Sequence, residues 1–285
     1  MTRACGVVGF PLSHSISPRF QQPAFDELGL DVSYGAYETP PEALAAFFAG
    51  LRTETWLGCN VTIPHKRAAL DLVDSVSEEA RLIGAVNTVV RDPSGRLSGH
   101  NTDADGFLRA LVEDAGYQPP GEEAVLLGAG GAALAVAVAL LRAGARRLWI
   151  ANRTPARATS LVERLGAQFG EGRVAVADLT ADGLRRPLEG ATLLVNSTSV
   201  GMAHGPQPAG LPLSPDLLGA HLLVYDLVYN PSQTPLLQAA RAAGARAQEG
   251  LPMLIYQGAL AFERWTGRPA PIETMLRHGR LALAS

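Results

Sequence analysis

The sequence predicts an α/β protein in two parts, and three observations carry that prediction. Short apolar or β-branched runs alternate with alanine-rich amphipathic stretches along nearly the whole chain. One such run, AVLLG, passes directly into a glycine-rich loop at 128–133 and then into a helix-forming stretch. Just before it, GYQPPGEE at 116–123 breaks the pattern with two glycines and paired prolines. At 285 residues the chain is long enough to build two cores.

Taken in order, residues 4–9 (ACGVVG) form the first strand and 18–28 the first helix. Ser17-Pro18 sets its start, with a hydroxyl at the N-cap and proline at the first helical position. Strand 33–38, helix 41–51, strand 58–61, helices 65–72 and 77–83, and strand 86–91 follow by period and punctuation. Helix 105–115 then connects the two parts. After the break come strand 124–128, helix 131–143, strand 148–151 and helix 155–165, the last opened by Thr154-Pro155. Strands 173–177, 193–196 and 222–226 and helices 234–243, 251–266 and 272–278 complete the pattern. The Gly/Pro-rich segment 201–215 reads as a long surface loop, because strand patterning resumes after it. The expected domains are 1–104, with 251–285 packing back onto it, and 105–250.

Composition excludes several classes. A hydrophobic fraction of 47% with 18% charged residues is a globular balance. With 24 basic and 27 acidic side chains the net charge is −3, which argues against a nucleic-acid partner. No apolar run approaches the length that spans a bilayer, so no membrane association is expected. The N-terminal run ends in Gly-Phe-Pro without a small-x-small cleavage site and reads as a strand, not a leader. Cys5 and Cys59 lie in apolar strand contexts and read as reduced core thiols, which suits a cytoplasmic location. His14, His65 and His100 show no metal-ligand spacing, so no metal is assigned. No G-x-S-x-G elbow is present.

Lysine is the informative residue type. Lys66 is the only lysine among the 24 basic residues, so amine chemistry can come from one place alone. It has no glycine loop before it, which excludes a Walker A site. Asparagine is scarce too: Asn60, Asn87, Asn101, Asn152, Asn196 and Asn230 all fall beside a turn or motif.

The loop Gly128-Ala129-Gly130-Gly131-Ala132-Ala133 is G-x-G-x-x-A between a strand and a helix, the context a dinucleotide fingerprint requires. Gly128 permits the tight turn, Gly130 lets backbone N–H groups approach a pyrophosphate, and Ala133 allows close helix packing. The second domain is therefore expected to be Rossmann-type. Its second strand ends in Asn152-Arg153-Thr154, where an NAD binder usually places an acidic residue on the ribose 2′-hydroxyl. Arg153 and Arg157, near a helix N-terminus, suit a phosphate dianion instead. NADP is favoured, against the bland reading of a solvated arginine pair.

Five further motifs carry small hydroxyls, amides or one charge at strand ends and helix starts. They are GFPLSHSISP from Gly9, NVTIPHK from Asn60, GAVNT from Gly84, GHNTD from Gly99, and Gln257-Gly258. Such groups suit a polyhydroxylated acid. Together with NRTPARA, NSTSVGM and YDLVYNPSQTPLL, they make the chain closely resemble the shikimate dehydrogenase family over essentially its whole length.

The resemblance implies an N-terminal α/β substrate domain beside the Rossmann-type dinucleotide-binding domain. It implies NADP-dependent, reversible reduction of 3-dehydroshikimate to shikimate, a step toward chorismate and the aromatic amino acids. Ser15 and Ser17 would bind the substrate carboxylate; Thr62, Asn87, Asp103, Tyr229 and Gln257 would surround the ring hydroxyls. Lys66 and Asp103 would stand at the reacting oxygen, and which of them is the formal proton donor stays open. On the cofactor side it implies Gly128 to Ala133, then Asn152, Arg153, Thr154 and Arg157. Thr198, Ser199, Met202, Leu227 and Gly250 would lie near the nicotinamide half. A monomer or homodimer is expected. Gln21-Gln22 departs from the His-Asn that family members often carry. Taken singly, Ser17 and Asp103 fit a helix cap as well as a site. The rivals are an NAD-preferring quinate/shikimate dehydrogenase and a non-catalytic NADP-sensing module; retention of Lys66 and Asp103 argues against the second.

Overall fold

A computed structural model describes residues 2–13 and 15–284, so His14 lies outside the described residues. The chain divides into two compact units, Met1–Gly106 with Leu254–Ser285, and Phe107–Met253.

The first unit contains β1 (Arg3–Gly9), α1 (Ser17–Glu27), β2 (Val32–Glu38), α2 (Leu44–Gly50), β3 (Gly58–Val61), β4 (Ser75–Val76), α3 (Glu78–Ile83), β5 (Thr88–Arg91) and β6 (Leu97–His100). Its six-stranded sheet runs β2-β1-β3-β5-β6-β4. β1 pairs parallel with β2 and β3, while β5 is antiparallel to both β3 and β6. The fully buried runs of β1 and β3 place Val8, Cys59 and Val61 in one core with Leu44, Phe48 and Val89. Both cysteines are buried free thiols, and burial raises both pKa values.

Helix α4 (Asp103–Arg109) continues into a π-turn, Ala110–Asp114. The second unit then contains β7 (Glu123–Leu127), α5 (Gly131–Arg142), β8 (Arg147–Ala151), α6 (Pro155–Phe169), β9 (Val174–Val176), α7 (Ala181–Gly190), β10 (Leu193–Asn196), β11 (Leu223–Asp226), α8 (Pro235–Ala242) and β12 (Arg246–Gln248). All six strands are parallel, in the order β12-β11-β10-β7-β8-β9. That is the doubly wound Rossmann order, which reverses direction at the β7/β10 boundary, where ligands bind outside the strands' carboxyl ends. Helices α9 (Leu251–Thr266) and α10 (Ile272–Ala284) close the chain, and α10 packs on α1. None of the described helices is long and apolar enough to cross a membrane.

Several expectations need correction. Residues 65–72 do not form an α-helix: the Lys66 carbonyl accepts the Val86 N–H at 2.8 Å, and only a short 3₁₀ turn, Ala68–Asp71, remains. Strand β6 escaped the sequence reading, although Asp92-Pro-Ser-Gly95 marks the hairpin turn; Asp92 Oδ1 accepts the Ser94 and Arg96 N–H groups, and Gly95 takes φ +86°. Helix α7 was hidden by Gly183 and Pro187, and β12 by its three-residue length. Ser17 is the first helical residue of α1, not its cap. Thr154 is the α6 N-cap, but its side chain accepts no capping bond. Both hydroxyls are thus spared from capping.

Candidate active site

In the first unit, close backbone approaches bring the polar groups together. A Cβ on Gly9, at the end of β1, would lie 2.4 Å from Thr62 Cγ2, so glycine lets the loop after β3 fold against β1. A Cβ on Gly106 would lie 2.6 Å from the Gln257 nitrogen, and its absence lets α9 sit against the first turn of α4. The His65 ring is buried and bonds the Thr39 carbonyl through Nε2 at 2.6 Å, a packing role separate from that of Lys66.

Lys66 donates from Nζ to Asp103 Oδ2 at 2.6 Å, the side chains being 31% and 13% exposed. The pair is shielded from bulk water yet open enough to meet a ligand. Asn87 Nδ2 donates to the other carboxylate oxygen at 2.8 Å and lies 3.4 Å from Gln257 Oε1. The Asp103 N–H donates to Asn101 Oδ1 at 2.9 Å, so the Asp103 carboxylate is left for the ammonium and the amide and does not cap α4. Ser15 and Ser17 are half-buried together, with Ser15 Oγ accepting the Ser17 N–H at 3.4 Å. Among the described residues the Thr62 hydroxyl has no partner.

Gln21 is fully buried and donates from Nε2 to the Gly258 carbonyl at 2.9 Å, while Gln22 bridges α1 to Tyr34 and Val32 of β2. At the Gln21-Gln22 departure, Gln21 thus ties α1 to α9, its buried Oε1 having no partner among the described residues, while Gln22 ties α1 to the sheet.

In the second unit, β7 runs into Gly128 at φ +110°, where a Cβ would lie 2.5 Å from Ser197 Oγ. Only glycine fits there. Around Gly130 and Gly131 a Cβ would meet nothing within 4 Å, whereas Ala133 is fully buried. Gly130 caps the 12-residue α5 without a side-chain bond, and Gly130, Gly131 and Ala132 are exposed, so the first N–H groups of the helix lack an intrahelical partner at an accessible end. Arg153, Thr154 and Arg157 are exposed, and among the described residues neither guanidinium has a partner; Asn152 Nδ2 fixes the turn by donating to the Thr154 carbonyl at 2.9 Å. Helix N–H groups at an exposed glycine turn, followed by two guanidinium groups without a partner among the described residues, fit a dinucleotide carrying an additional phosphate.

Two loops follow β10 and β11. Asn196 Nδ2 donates to the buried Asp226 at 2.9 Å, while its Oδ1 accepts the Thr198 hydroxyl at 2.7 Å. Asp226 also accepts the Val228 N–H and the Thr234 hydroxyl. Burial raises its carboxyl pKa and that of the Tyr229 phenol. A Cβ on Gly250 would lie 2.2 Å from the Leu227 carbonyl oxygen. Ser199 and Met202 are exposed on the first loop, and Leu227 and Tyr229 are half-buried on the second. No metal-binding group of His, Cys, Asp or Glu occurs among the described residues.

Sequence reasoning missed the supporting residues Tyr34, Thr88, Thr102 and Asp226. The scarcity of asparagine was the available signal: Asn60, Asn87, Asn101, Asn152 and Asn196 each use the side chain to tie a loop or strand end.

Three family models match in chain order. They are described as "Shikimate dehydrogenase substrate binding domain" over residues 7–89, "Shikimate / quinate 5-dehydrogenase" over 112–199, and "Shikimate 5'-dehydrogenase C-terminal domain" over 250–278. The NADP-dependent shikimate dehydrogenase of Methanopyrus kandleri is 47% identical over 274 residues, 96% of this chain and 93% of its own. That of Moorella thermoacetica is also 47% identical, across 100% of this chain and 95% of its own. The crystal structure of shikimate 5-dehydrogenase from Thermus thermophilus with NADP(H) and shikimate aligns at a TM-score of 0.87 and 43% identity, covering 99% of this chain and 100% of that one.

Proposed function

The chain belongs to the shikimate dehydrogenase family, and from that premise we propose that it reduces 3-dehydroshikimate to shikimate with NADPH, and reverses the step with NADP. It is an oxidoreductase supplying the route to aromatic amino acids. The observation that carries the mechanism is the only lysine of the chain, held 2.6 Å from Asp103.

NADPH, when bound, supplies the hydride. The free N–H groups at the start of α5 would hold its pyrophosphate, with Arg153 and Arg157 pairing the 2′-phosphate. Asn152 and Thr154 shape that turn. Thr198, Ser199, Met202, Leu227 and Gly250 would line the nicotinamide end.

Ser15 and Ser17, spared from capping, would donate to the substrate carboxylate. Thr62, Asn87, Tyr229 and Gln257 would supply neutral donors and acceptors for ring hydroxyls. Reduction at C3 leaves alkoxide character on oxygen, which needs positive charge and a proton. The Lys66 ammonium provides both at Nζ, and the Asp103 carboxylate holds it in place. Arginine would supply charge but retain its proton too tightly. In shikimate oxidation the same pair accepts the proton.

A steady-state assay of shikimate and quinate, each with NADP and NAD, tests the assignment. Turnover fastest with shikimate and NADP is expected. A preference for quinate and NAD would favour the rival reading, against which the free arginine pair and the two serines weigh.

A further inference from the structure

Behind Asp103 lies a line of buried polar side chains that the mechanism does not use. Tyr34 on β2, Asn60 on β3, Thr88 on β5 and Thr102 before α4 are 5%, 6%, 0% and 1% exposed. Burying so many polar groups is costly unless each finds a partner.

Each group does, and groups that can bond in only one sense fix the direction. The Thr102 N–H can only donate, and it meets Asn87 Oδ1 at 2.8 Å. The Asn87 amide is therefore turned with Nδ2 toward Asp103 Oδ1. The Asn87 backbone carbonyl can only accept, and Asn60 Nδ2 faces it at 3.4 Å and the Thr88 hydroxyl at 3.3 Å. Asn60 Oδ1 is thereby turned toward the Tyr34 phenol, which donates to it at 2.7 Å. The Thr88 hydroxyl passes the line on, donating to Asn87 Oδ1 at 3.0 Å.

We propose that Tyr34, Asn60, Thr88 and Thr102 form a directed hydrogen-bond relay that orients Asn87 and holds Asp103 as the carboxylate facing Lys66. They are positioning residues, and the relay ties β2 and β3 to the proton-transfer end of the site. The inference rests on the reading of Lys66 and Asp103 as the pair at the reacting oxygen. Among the groups around Asp103, the loop after β3 supplies Lys66, the charged one. Asn87, before β5, and Gln257, on α9, are neutral amides. On β6, His100 pairs across from Thr88, but burial and Arg264 push its pKa down to about 4, so it is neutral in an assay at pH 6–9.

The test compares Thr88→Val, which removes the hydroxyl at constant shape, with Thr88→Ser and Tyr34→Phe, using shikimate oxidation at saturating NADP. Loosening Asn87 frees the Asp103 carboxylate to leave its place facing Lys66. In Thr88→Val kcat should therefore fall several-fold with little change in shikimate KM; Thr88→Ser should restore kcat, and Tyr34→Phe should lower it less, again with KM little changed. A folded Thr88→Val with a lowered Tm but unmoved kcat would overturn the relay, as would failure of folded Thr88→Ser to restore kcat. Lys66→Ala is assayed in parallel. If it retains turnover, the underlying reading fails; if it loses turnover while Thr88→Val and Tyr34→Phe are silent, only the relay falls.

Discussion

In the first unit the Asn87 amide is engaged on both sides, and Lys66 and Asp103 hold each other. In the second unit the α5 N-terminus is exposed and lacks a side-chain cap, and Arg153 and Arg157 have no partner among the described residues. The difference follows from what each region handles. A proton must be transferred within a fixed geometry, so its donor and orienting groups are bonded in advance. An anion is recognised by donors left free, because a guanidinium already paired would have to break a bond first. Substitutions in the first region should therefore change turnover, and substitutions in the second should change cofactor affinity alone.

The largest effect is expected at Asp103. Asp103→Asn should lower kcat by at least roughly a hundredfold, a typical general acid–base contribution. Combined with Lys66→Ala, it should cost less than the product of the single effects, because the pair acts as a unit. Independent, multiplying effects would break the picture of a preassembled pair.

Next comes the arginine pair. Arg153→Ala with Arg157→Ala should raise KM for NADP by roughly tenfold or more, leave KM for NAD nearly unchanged and leave Tm unchanged. Equal weakening toward both cofactors would show that these guanidinium groups do not read the 2′-phosphate.

The smallest effect is on stability against pH, where the two units again oppose each other. In the first, the His100 pKa is lowered from 6.5 to about 4, so across that window the unfolded chain binds a proton that the folded chain refuses. Stability from this group is present above pH 6.5 and falls on acidification, by about 1 kcal/mol once solvent screening is allowed for. In the second, the Asp226 pKa is raised above 3.8, so the folded chain keeps a proton that the unfolded chain has released. Its contribution is full below pH 3.8 and is lost as pH rises through the folded value. Denaturant midpoints between pH 4 and 7 should flatten with His100→Gln in one sense and with Asp226→Asn in the other.

Much of the Rossmann unit was legible because its signals are local. A buried strand, Gly128 to Ala133 and a helix lie within some twenty residues, and βα alternation implies the parallel strands that the sheet shows. Helix α7 was obscured by Pro187, which sits near its last turn and so costs it little. Residues 65–72 carried a helical pattern, but the hydrogen bond from Val86 to Lys66 overrode it, a tertiary choice made twenty residues away. The substrate-side residues posed the harder case. Lys66 and Asp103 are 37 positions apart, and Asn87 and Gln257 are 170 apart, so no periodicity places them together; only the set of motifs pointed to them. Thr88 and Thr102 look like ordinary strand-end threonines, and burial alone makes them informative.

Lys66→Arg tests the central claim most directly, because it keeps the charge beside Asp103 and withholds a readily released proton. The variant should keep the wild-type Tm and lose at least roughly a hundredfold in kcat for reduction of 3-dehydroshikimate with NADPH, with a smaller change in substrate KM. Near-wild-type turnover in the folded variant would show that charge alone suffices and that the proton comes from elsewhere.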